Sequence, residues 1–458
     1  MEKTVKGSMT EGAPLPLILR FAVPLLLGNL LQQLYNMIDA AIVGRILGAD
    51  ALAGVGASSS VQFLVLGFCI GICAGFSIPV AKYFGARQEQ RLKVCIFNSY
   101  LLTGIIALVL TVSTSLLCRN ILDMMSTPER IYKDAYAYLL IIFLGIPFIL
   151  LYNLLAGIMR AVGDSKTPFI FLAVSTFLNI FLDFLLIAVI PLGCAGAALA
   201  TVIAQAASGI ACFIYIQKKY ALLRLSRSDC SVNGYALREL FIMGIPMGLQ
   251  YSITAIGCMV MQAANNGLGS VCISGFTAAS KLKQLAMCPF DAVATGVSVF
   301  SSQNLGAGKT DRIRNGILDG VAIGSAYGAA IGAVLIFFGR TMSMMFVSAS
   351  ETAVLDASGE YLFYAGFFFW ILGILNTTRM TIQGLGYSAA AVFSGVIEMI
   401  ARIAVSRAFV PQYGFKAICF VDQCAWASAA IYCSILCVIC VKLVTKKSRA
   451  SIKLPCTE

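Results

Sequence analysis

The sequence predicts an all-α polytopic membrane protein: twelve transmembrane helices form two six-helix repeats, related by a pseudo-two-fold axis along the membrane normal. Its 458 residues are 59% hydrophobic and only 12% charged, whereas soluble domains are about half apolar and about one quarter charged. The mean hydropathy is +0.88. Because a transmembrane helix needs about 20 residues, twelve spans fit and leave no room for a sizeable water-soluble domain.

Apolar runs between charged residues, glycines and prolines place the helices in order. The first six are predicted near residues 17–43, 51–80, 94–117, 135–158, 168–190 and 194–216. The other six are predicted near residues 239–264, 271–302, 315–338, 353–377, 386–410 and 414–444. The predicted units are an N-terminal bundle at 1–216, a polar cytoplasmic linker at 217–238, a C-terminal bundle at 239–444 and a cytoplasmic tail at 445–458.

Lysine and arginine are distributed unequally between alternate loops. With the N terminus inside, 22 of them lie on the cytoplasmic side and 7 on the other, so the positive-inside rule predicts cytoplasmic termini. The first residues lack the order of a secretory signal, and the first span is expected to be retained. The net charge of +12 is dispersed among loops, which is not the pattern of a nucleic-acid-binding protein.

The two halves repeat the same short motifs at a nearly constant interval. The matching pairs are Gly85 and Gly306, Pro24 and Pro246, Asn153 and Asn376, Gly163 and Gly386, and Gly193 and Gly414. Because each copy has six spans, both run the same way through the membrane. The symmetry axis then follows the membrane normal, and a substrate path is expected between the halves.

The fifth span carries two polar residues near its middle, Asn179 and Asp183. They are four residues apart and share one helix face. An aspartate at the bilayer centre costs roughly 2.5–3.5 kcal/mol on insertion scales, so such acids face protein or water and are usually functional. A hydrogen bond that only packs two helices together is the alternative.

The first span carries a polar stripe at intervals of 3, 4 and 3 residues, formed by Asn29, Gln32, Asn36 and Asp39. Such a stripe lines something polar or wet, or forms an interhelical hydrogen-bond seam. Two carboxylates that share a pocket of low dielectric repel each other. The pair of Asp39 and Asp183 is therefore suited to take up a proton or to hold a monovalent cation.

The duplicated motifs carry a family resemblance. A proline in spans one and seven, the Gly-Ala loops after spans two and eight, and the segments MRAVGDSKTP and IQGLGYSAA resemble the multidrug and toxic compound extrusion (MATE) transporters over residues 15–444. The resemblance implies a monomeric transporter of a bacterial inner membrane. Its partners are a small-molecule substrate and the lipid bilayer, and it needs no cofactor besides its coupling ion.

Within that family the sequence is similar to the bacterial branch that couples through its N-terminal half. The residues that match the ion-coupling site are Asp39, Asn153, Asn179, Asp183 and Thr201. The resemblance implies efflux of organic, cationic and amphipathic compounds in exchange for protons or sodium ions. Pro24 frees a backbone carbonyl, so helix one can bend or straighten, although a static kink is the alternative.

The second half has lost its counterpart of the central acid. In the repeat, Arg402 occupies the position equivalent to Asn179, and Ser406 occupies the position equivalent to Asp183. Glu398 and Arg402 are spaced for an ion pair, which we expect to be structural, with substrate contact as the alternative. The candidate substrate-cavity residues are Gln32, Asn36, Asp291 and Glu398. Asp422 is a further intramembrane acid without an assigned role.

Two other function classes compete with antiport. A flippase for a lipid-linked saccharide belongs to the same superfamily, but buried acids disfavour an anionic headgroup. A membrane-embedded enzyme is not expected, because the sequence has no histidine and no metalloprotease, nucleophile-elbow or phosphate-loop motif. The 16 cysteines lie mostly in apolar segments and behave as small hydrophobes, so no metal site is expected.

Overall fold

A computed structural model describes residues 8–125 and 127–453, and within these ranges the chain is helical and contains no β-strand. The first half forms α1 (Pro14–Ile46), α2 (Ala49–Gly85), α3 (Glu89–Met124), α4 (Glu129–Leu144), α5 (Ile146–Ala161), α6 (Lys166–Asp183) and α7 (Cys194–Lys219). The second half forms α8 (Gly234–Asn266), α9 (Ser270–Gly306), α10 (Thr310–Ser343), α11 (Thr352–Gly384), α12 (Ser388–Tyr413) and α13 (Phe415–Lys453).

The prediction of twelve spans is confirmed, with one correction to the fourth. Eleven spans are long and apolar enough to cross a membrane, and α4 and α5, bent by 47° at their junction, pass as the twelfth. The sequence predicted one continuous helix at 135–158. The helix breaks at Gly145 because Pro147, near the start of α5, has no N–H to donate and its ring clashes with the preceding turn.

Most helices are longer than predicted, because apolar runs mark only the part inside the hydrocarbon layer while the polar ends continue the helix. The fifth span differs in another way. Its α-helix ends at Asp183 and continues as a single π-helical turn, Phe184–Val189. Such turns occur within α-helices mainly at functional sites.

The helices pack as two units, each with its own core. The first unit contains residues 27–248, and its core includes Phe76 and Phe143. The second unit contains residues 8–26 and the described residues from 249 onward, and its core includes Tyr361 and Phe369. The boundaries between the units fall inside α1 and α8, shortly after Pro24 and Pro246. The bundles predicted at 1–216 and 239–444 follow the repeat in the sequence, and their limits stay a prediction.

The connection between the halves is ordered and is held to α3. Asn98 donates to the Ser231 carbonyl at 3.0 Å and accepts from the Asn233 backbone N–H at 3.0 Å. Hydrogen bonds from Ser226 hold the pKa of Asp229 below its usual range. The non-helical part lies within residues 220–233, shorter than the predicted 217–238, because α7 and α8 extend into the polar stretch.

Glycines bring α10 and α11 into backbone contact. A Cβ added at Gly324 would lie 2.8 Å from the Gly373 Cα, and one at Gly328 would lie 2.6 Å from the Phe369 carbonyl oxygen. Small residues allow such close approach between membrane helices, where packing replaces the hydrophobic effect as the driving force. These glycines therefore set the spacing between α10 and α11.

We predict that Gly328→Ala lowers the free energy of unfolding by about 1–3 kcal/mol, because the added methyl group overlaps the backbone of α11. Thermal melting of the purified protein in detergent measures the effect. Gly104→Ala is the matched control, since nothing lies within 4 Å of a Cβ at Gly104. Equal melting temperatures for both variants would contradict the close packing.

Candidate functional site

The first unit contains a buried cluster of acids and neutral polar side chains. Asp39 of α1 is 8% exposed, and Asp183, the last residue of α6, is fully buried. Asn179 and Thr201, from α6 and α7, are buried beside them. The two acids interact electrostatically. The spacing of four residues thus places Asn179 and Asp183 together, as the sequence predicted.

Asn179 lies between Asp183 and Thr201. Its Nδ2 donates to Oδ2 of Asp183 at 3.1 Å, while its Oδ1 accepts from the Thr201 backbone N–H at 3.3 Å. With the amide turned over, Nδ2 donates instead to the Thr201 hydroxyl oxygen at 3.4 Å. The first orientation satisfies both ends of the amide. It leaves Asp183 supported by a neutral donor and not by a cation.

Both acids have unused acceptor capacity. The Oδ1 atoms of Asp39 and Asp183 are buried and have no hydrogen-bond partner among the described residues. Within the same part of the chain, neither carboxylate forms an ion pair with lysine or arginine. Buried carboxylate oxygens without donors are costly. They are therefore candidate atoms for binding a proton or a monovalent cation.

A narrow cleft adjoins the cluster, with a cavity volume of about 10 Å³, room for roughly one water-sized particle. The side chains that line it come from α1, α6 and α7 and are mostly polar: Gln32, Tyr35, Leu172, Ser175, Thr176, Asn179, Thr201, Ala204 and Gln205. Gln205 Oε1 is buried without a partner among the described residues. The cleft therefore has room for one water-sized particle beside neutral oxygen atoms, while Asp39 and Asp183 are not among its lining residues.

The other predicted residues of this half lie apart from these contacts. Asn153 is half-buried, and its amide donates to the Ile149 carbonyl at 2.8 Å within α5. Among the described residues, no hydrogen bond joins Asn153 to the acids. Asn36 is exposed on α1. The roles of Asn153 in ion coupling and of Asn36 in substrate binding stay predictions.

Two tyrosines that lie beside the acids were not predicted from the sequence. Tyr35 interacts with Thr201 and with both acids, and Tyr138 interacts with Gln62 and with both acids. The spacing of Tyr35 and Asp39 by four residues could have indicated the first. Tyr138 comes from α4, and nothing in its local sequence indicates this contact. Both phenols supply polar atoms beside the acids without adding a charge.

The second unit contains a charged network that extends the predicted pair. Glu398 and Arg402 are each 3% exposed and form an ion pair at 3.2 Å. Arg379 of α11 also binds Glu398, and Arg402 Nε donates to Asp422 Oδ1 at 3.0 Å.

Asp422 has two more donors in this network. Lys283 Nζ donates to its Oδ2 at 2.5 Å, and the Tyr361 hydroxyl donates to the same oxygen at 2.6 Å. Sequence spacing could not find these contacts, because they join four helices. Asp291, by contrast, is exposed on α9. The proposed substrate contacts of Glu398 and Asp291 stay predictions.

The network determines what we expect of substitutions at Glu398. Glu398→Gln removes the carboxylate that pairs with Arg379 and one of the two that pair with Arg402, and we predict a loss of about 3–5 kcal/mol in the free energy of unfolding. Exchanging the charges of Glu398 and Arg402 should not restore stability, because the new glutamate would face Asp422. Thermal melting tests both variants.

Asp356→Asn is the matched control for these variants. It removes an acid from an exposed ion pair with Arg340 and should change the free energy of unfolding by at most about 1 kcal/mol. Recovery of the parent melting temperature by the charge exchange would show that Glu398 and Arg402 form an isolated pair.

The family model MatE matches residues 24–185 and again 246–407. The probable multidrug resistance protein YoeA of Bacillus subtilis is 30% identical over 366 residues, which are 77% of this chain and 78% of that protein. The probable multidrug resistance protein YpnP of the same organism is 30% identical over 395 residues, 85% of each chain.

A solved structure, described as the outward-facing conformation of a multidrug resistance MATE family transporter of the MOP superfamily, matches with a TM-score of 0.90. It is 21% identical and covers 97% of this chain and 100% of its own. At that identity the likeness concerns the fold alone. The double family match, once in each half of the chain, confirms the repeat that the sequence motifs predicted. The chain therefore belongs to the MATE family, whose members are transporters and not enzymes.

Proposed function

We propose that this MATE transporter exports organic, cationic and amphipathic compounds in exchange for protons or sodium ions by alternating access. The observation that carries the proposal is the acid pair of the first unit. Asp39 and Asp183 are buried, interact electrostatically and have no basic partner among the described residues. An ion-binding pair of this kind is what exchange of one cation for another requires.

The proposed mechanism rests on a change of one charge. The ionised pair attracts a cationic compound, and an incoming proton or sodium ion neutralises one carboxylate and weakens that attraction. Binding of the ion and of the compound then oppose each other, and the coupling free energy is the same in both directions. The alternative of a saccharide-lipid flippase gains no support from this site, because the acids repel an anionic headgroup.

Each residue of the cluster has a distinct proposed role. Asp39 and Asp183 bind the coupling ion. Asn179 and Thr201 orient Asp183 and can supply neutral oxygens to a sodium ion. The π-helical turn after Asp183 and the proline at position 24 provide places where the helices can change shape. Cationic substrate contacts are proposed for Gln32, Asn36, Asp291 and Glu398.

We predict that Asp183→Asn abolishes ion-driven efflux while the protein remains folded, because the amide cannot take up a proton or neutralise a cation. Efflux of a cationic dye from proteoliposomes is measured under a pH gradient alone and under a sodium gradient alone. The wild type should respond to one gradient, which identifies the ion. Asp356→Asn, which removes an exposed acid, should transport like the parent. Normal gradient-driven efflux by Asp183→Asn would contradict the assignment.

We also propose that the protein lies in the cell inner membrane with both termini and the 217–238 segment in the cytoplasm. Cys230, in that segment, is exposed. Comparison of the wild type with Cys230→Ser separates the labelling of Cys230 from that of the other thiols. Reaction of Cys230 with a membrane-permeant maleimide, but not with an impermeant one added to intact cells, is expected. Labelling by the impermeant reagent would invert the proposed topology.

A further inference from the structure

The repeat gives the acid cluster a counterpart in the second unit. At the interval of the repeated motifs, six positions of the first unit correspond to positions of the second: Gln62 to Lys283, Tyr138 to Tyr361, Asn153 to Asn376, Asn179 to Arg402, Asp183 to Ser406 and Thr201 to Asp422. Four of the second-unit residues, Lys283, Tyr361, Arg402 and Asp422, bond to one another. The same framework thus carries a polar cluster in each unit.

The two clusters have opposite electrostatic character. The first has two acids and no ion-paired base among the described residues. The second joins three cations, Lys283, Arg379 and Arg402, to two carboxylates, Glu398 and Asp422. The hydrogen-bonded network therefore carries one excess positive charge. Ser406 replaces the central acid with a neutral hydroxyl.

Three hydrogen-bond donors on the helices that carry this network lack acceptors. Arg379 Nε and Asn376 Nδ2, one turn apart on α11, are buried and have no hydrogen-bond partner among the described residues. The Ser406 hydroxyl, one turn after Arg402, is also buried without a partner there. The Arg379 side chain as a whole is 13% exposed, while its Nε is buried. Unmatched N–H and O–H groups beside a net positive charge match the acceptor-only chemistry of a carboxylate.

One acid opposes this charge. Asp291 of α9 interacts electrostatically with Arg379. Its carboxylate is exposed, and no hydrogen bond joins it to the network among the described residues. Asp291 therefore lowers the positive potential at Arg379 without occupying its free donor. Removing this acid should strengthen the binding of an anion, a result that a merely structural network would not give.

We propose that the second unit contains an anion site that binds a carboxylate group. It is formed by Asn376 and Arg379, one turn apart on α11, and the nearby charges of Lys283 and Arg402 favour an anion there. The carboxylate belongs either to a small free anion or to the transported compound. In the second case the inference rests on the proposed function, and the transported compound is a zwitterion that carries a carboxylate besides its cationic group.

The binding test uses the purified full-length protein in detergent. Sodium acetate replaces sodium chloride at constant sodium concentration and ionic strength, and acetate binding is followed by calorimetry and by the rise in melting temperature. The wild type should bind acetate. Asn376→Ala, which keeps every ion pair, should weaken acetate binding roughly tenfold, and Arg379→Gln should weaken it more. Asp291→Asn should strengthen it about two- to threefold.

Arg340→Gln is the matched control, because it removes an arginine from an exposed pair on the same unit. It should bind acetate like the parent. Absence of acetate binding by the folded wild type, or equal binding by Asn376→Ala, Asp291→Asn and the parent, would overturn the site. The melting temperature in chloride shows whether each variant is folded.

A transport experiment distinguishes the two sources of the carboxylate, the transported compound and a small free anion. Proteoliposomes are loaded with a rhodamine that carries a free carboxylate or with its methyl ester, which is otherwise the same dye. Preference of the wild type for the free acid, lost in Asn376→Ala, assigns the site to the substrate. Transport of both dyes unchanged by Asn376→Ala, together with acetate binding, assigns it to a free anion. If neither dye is transported, the proposed function fails while the acetate result still decides the site.

Discussion

The desolvation of charged side chains is the constraint on which the rest of this structure depends. A charge removed from water must be paired, hydrogen-bonded or neutralised. The second unit meets the requirement by pairing, as the bonds of Asp422 to Lys283 and Arg402 show. The first unit leaves Asp39 and Asp183 without a base among the described residues and supplies neutral groups such as Asn179. In the proposed function this cluster gains and loses one positive charge, whereas the paired network is held in place by its own bonds.

Much of the fold could be predicted, because a bilayer imposes length and composition on every span. The helix order and the repeat follow from that. The break at Gly145 has a signal in the sequence, Pro147, that apolar runs alone do not reveal. The π-helical turn after Asp183 has no such signal, since it depends on local backbone hydrogen bonding. In the candidate site, the proximity of Asn179 and Asp183 could be predicted from their four-residue spacing because both lie on one helix. The contacts of Tyr138 and Lys283 join different helices, and no spacing within the chain encodes them.

The two halves of the repeat have diverged in charge while each still matches the same family model. Thr201 and Asp422 occupy equivalent positions, yet one lies beside an amide and the other holds three donors. In the second unit, Gly324 and Gly328 let α10 and α11 pack in backbone contact. The side chains of the two clusters have diverged within one fold, and we propose that one cluster binds a cation and the other a carboxylate.

The central claim is that ion and compound compete through one change of charge at the acid pair. Equilibrium binding of a fluorescent cation to the purified protein, titrated at stepped proton and sodium concentrations, tests it most directly. The dissociation constant of the dye should rise in proportion to one of the two ions, with a logarithmic slope of about one once that ion saturates its site. A dissociation constant that stays the same across both series would contradict the claim.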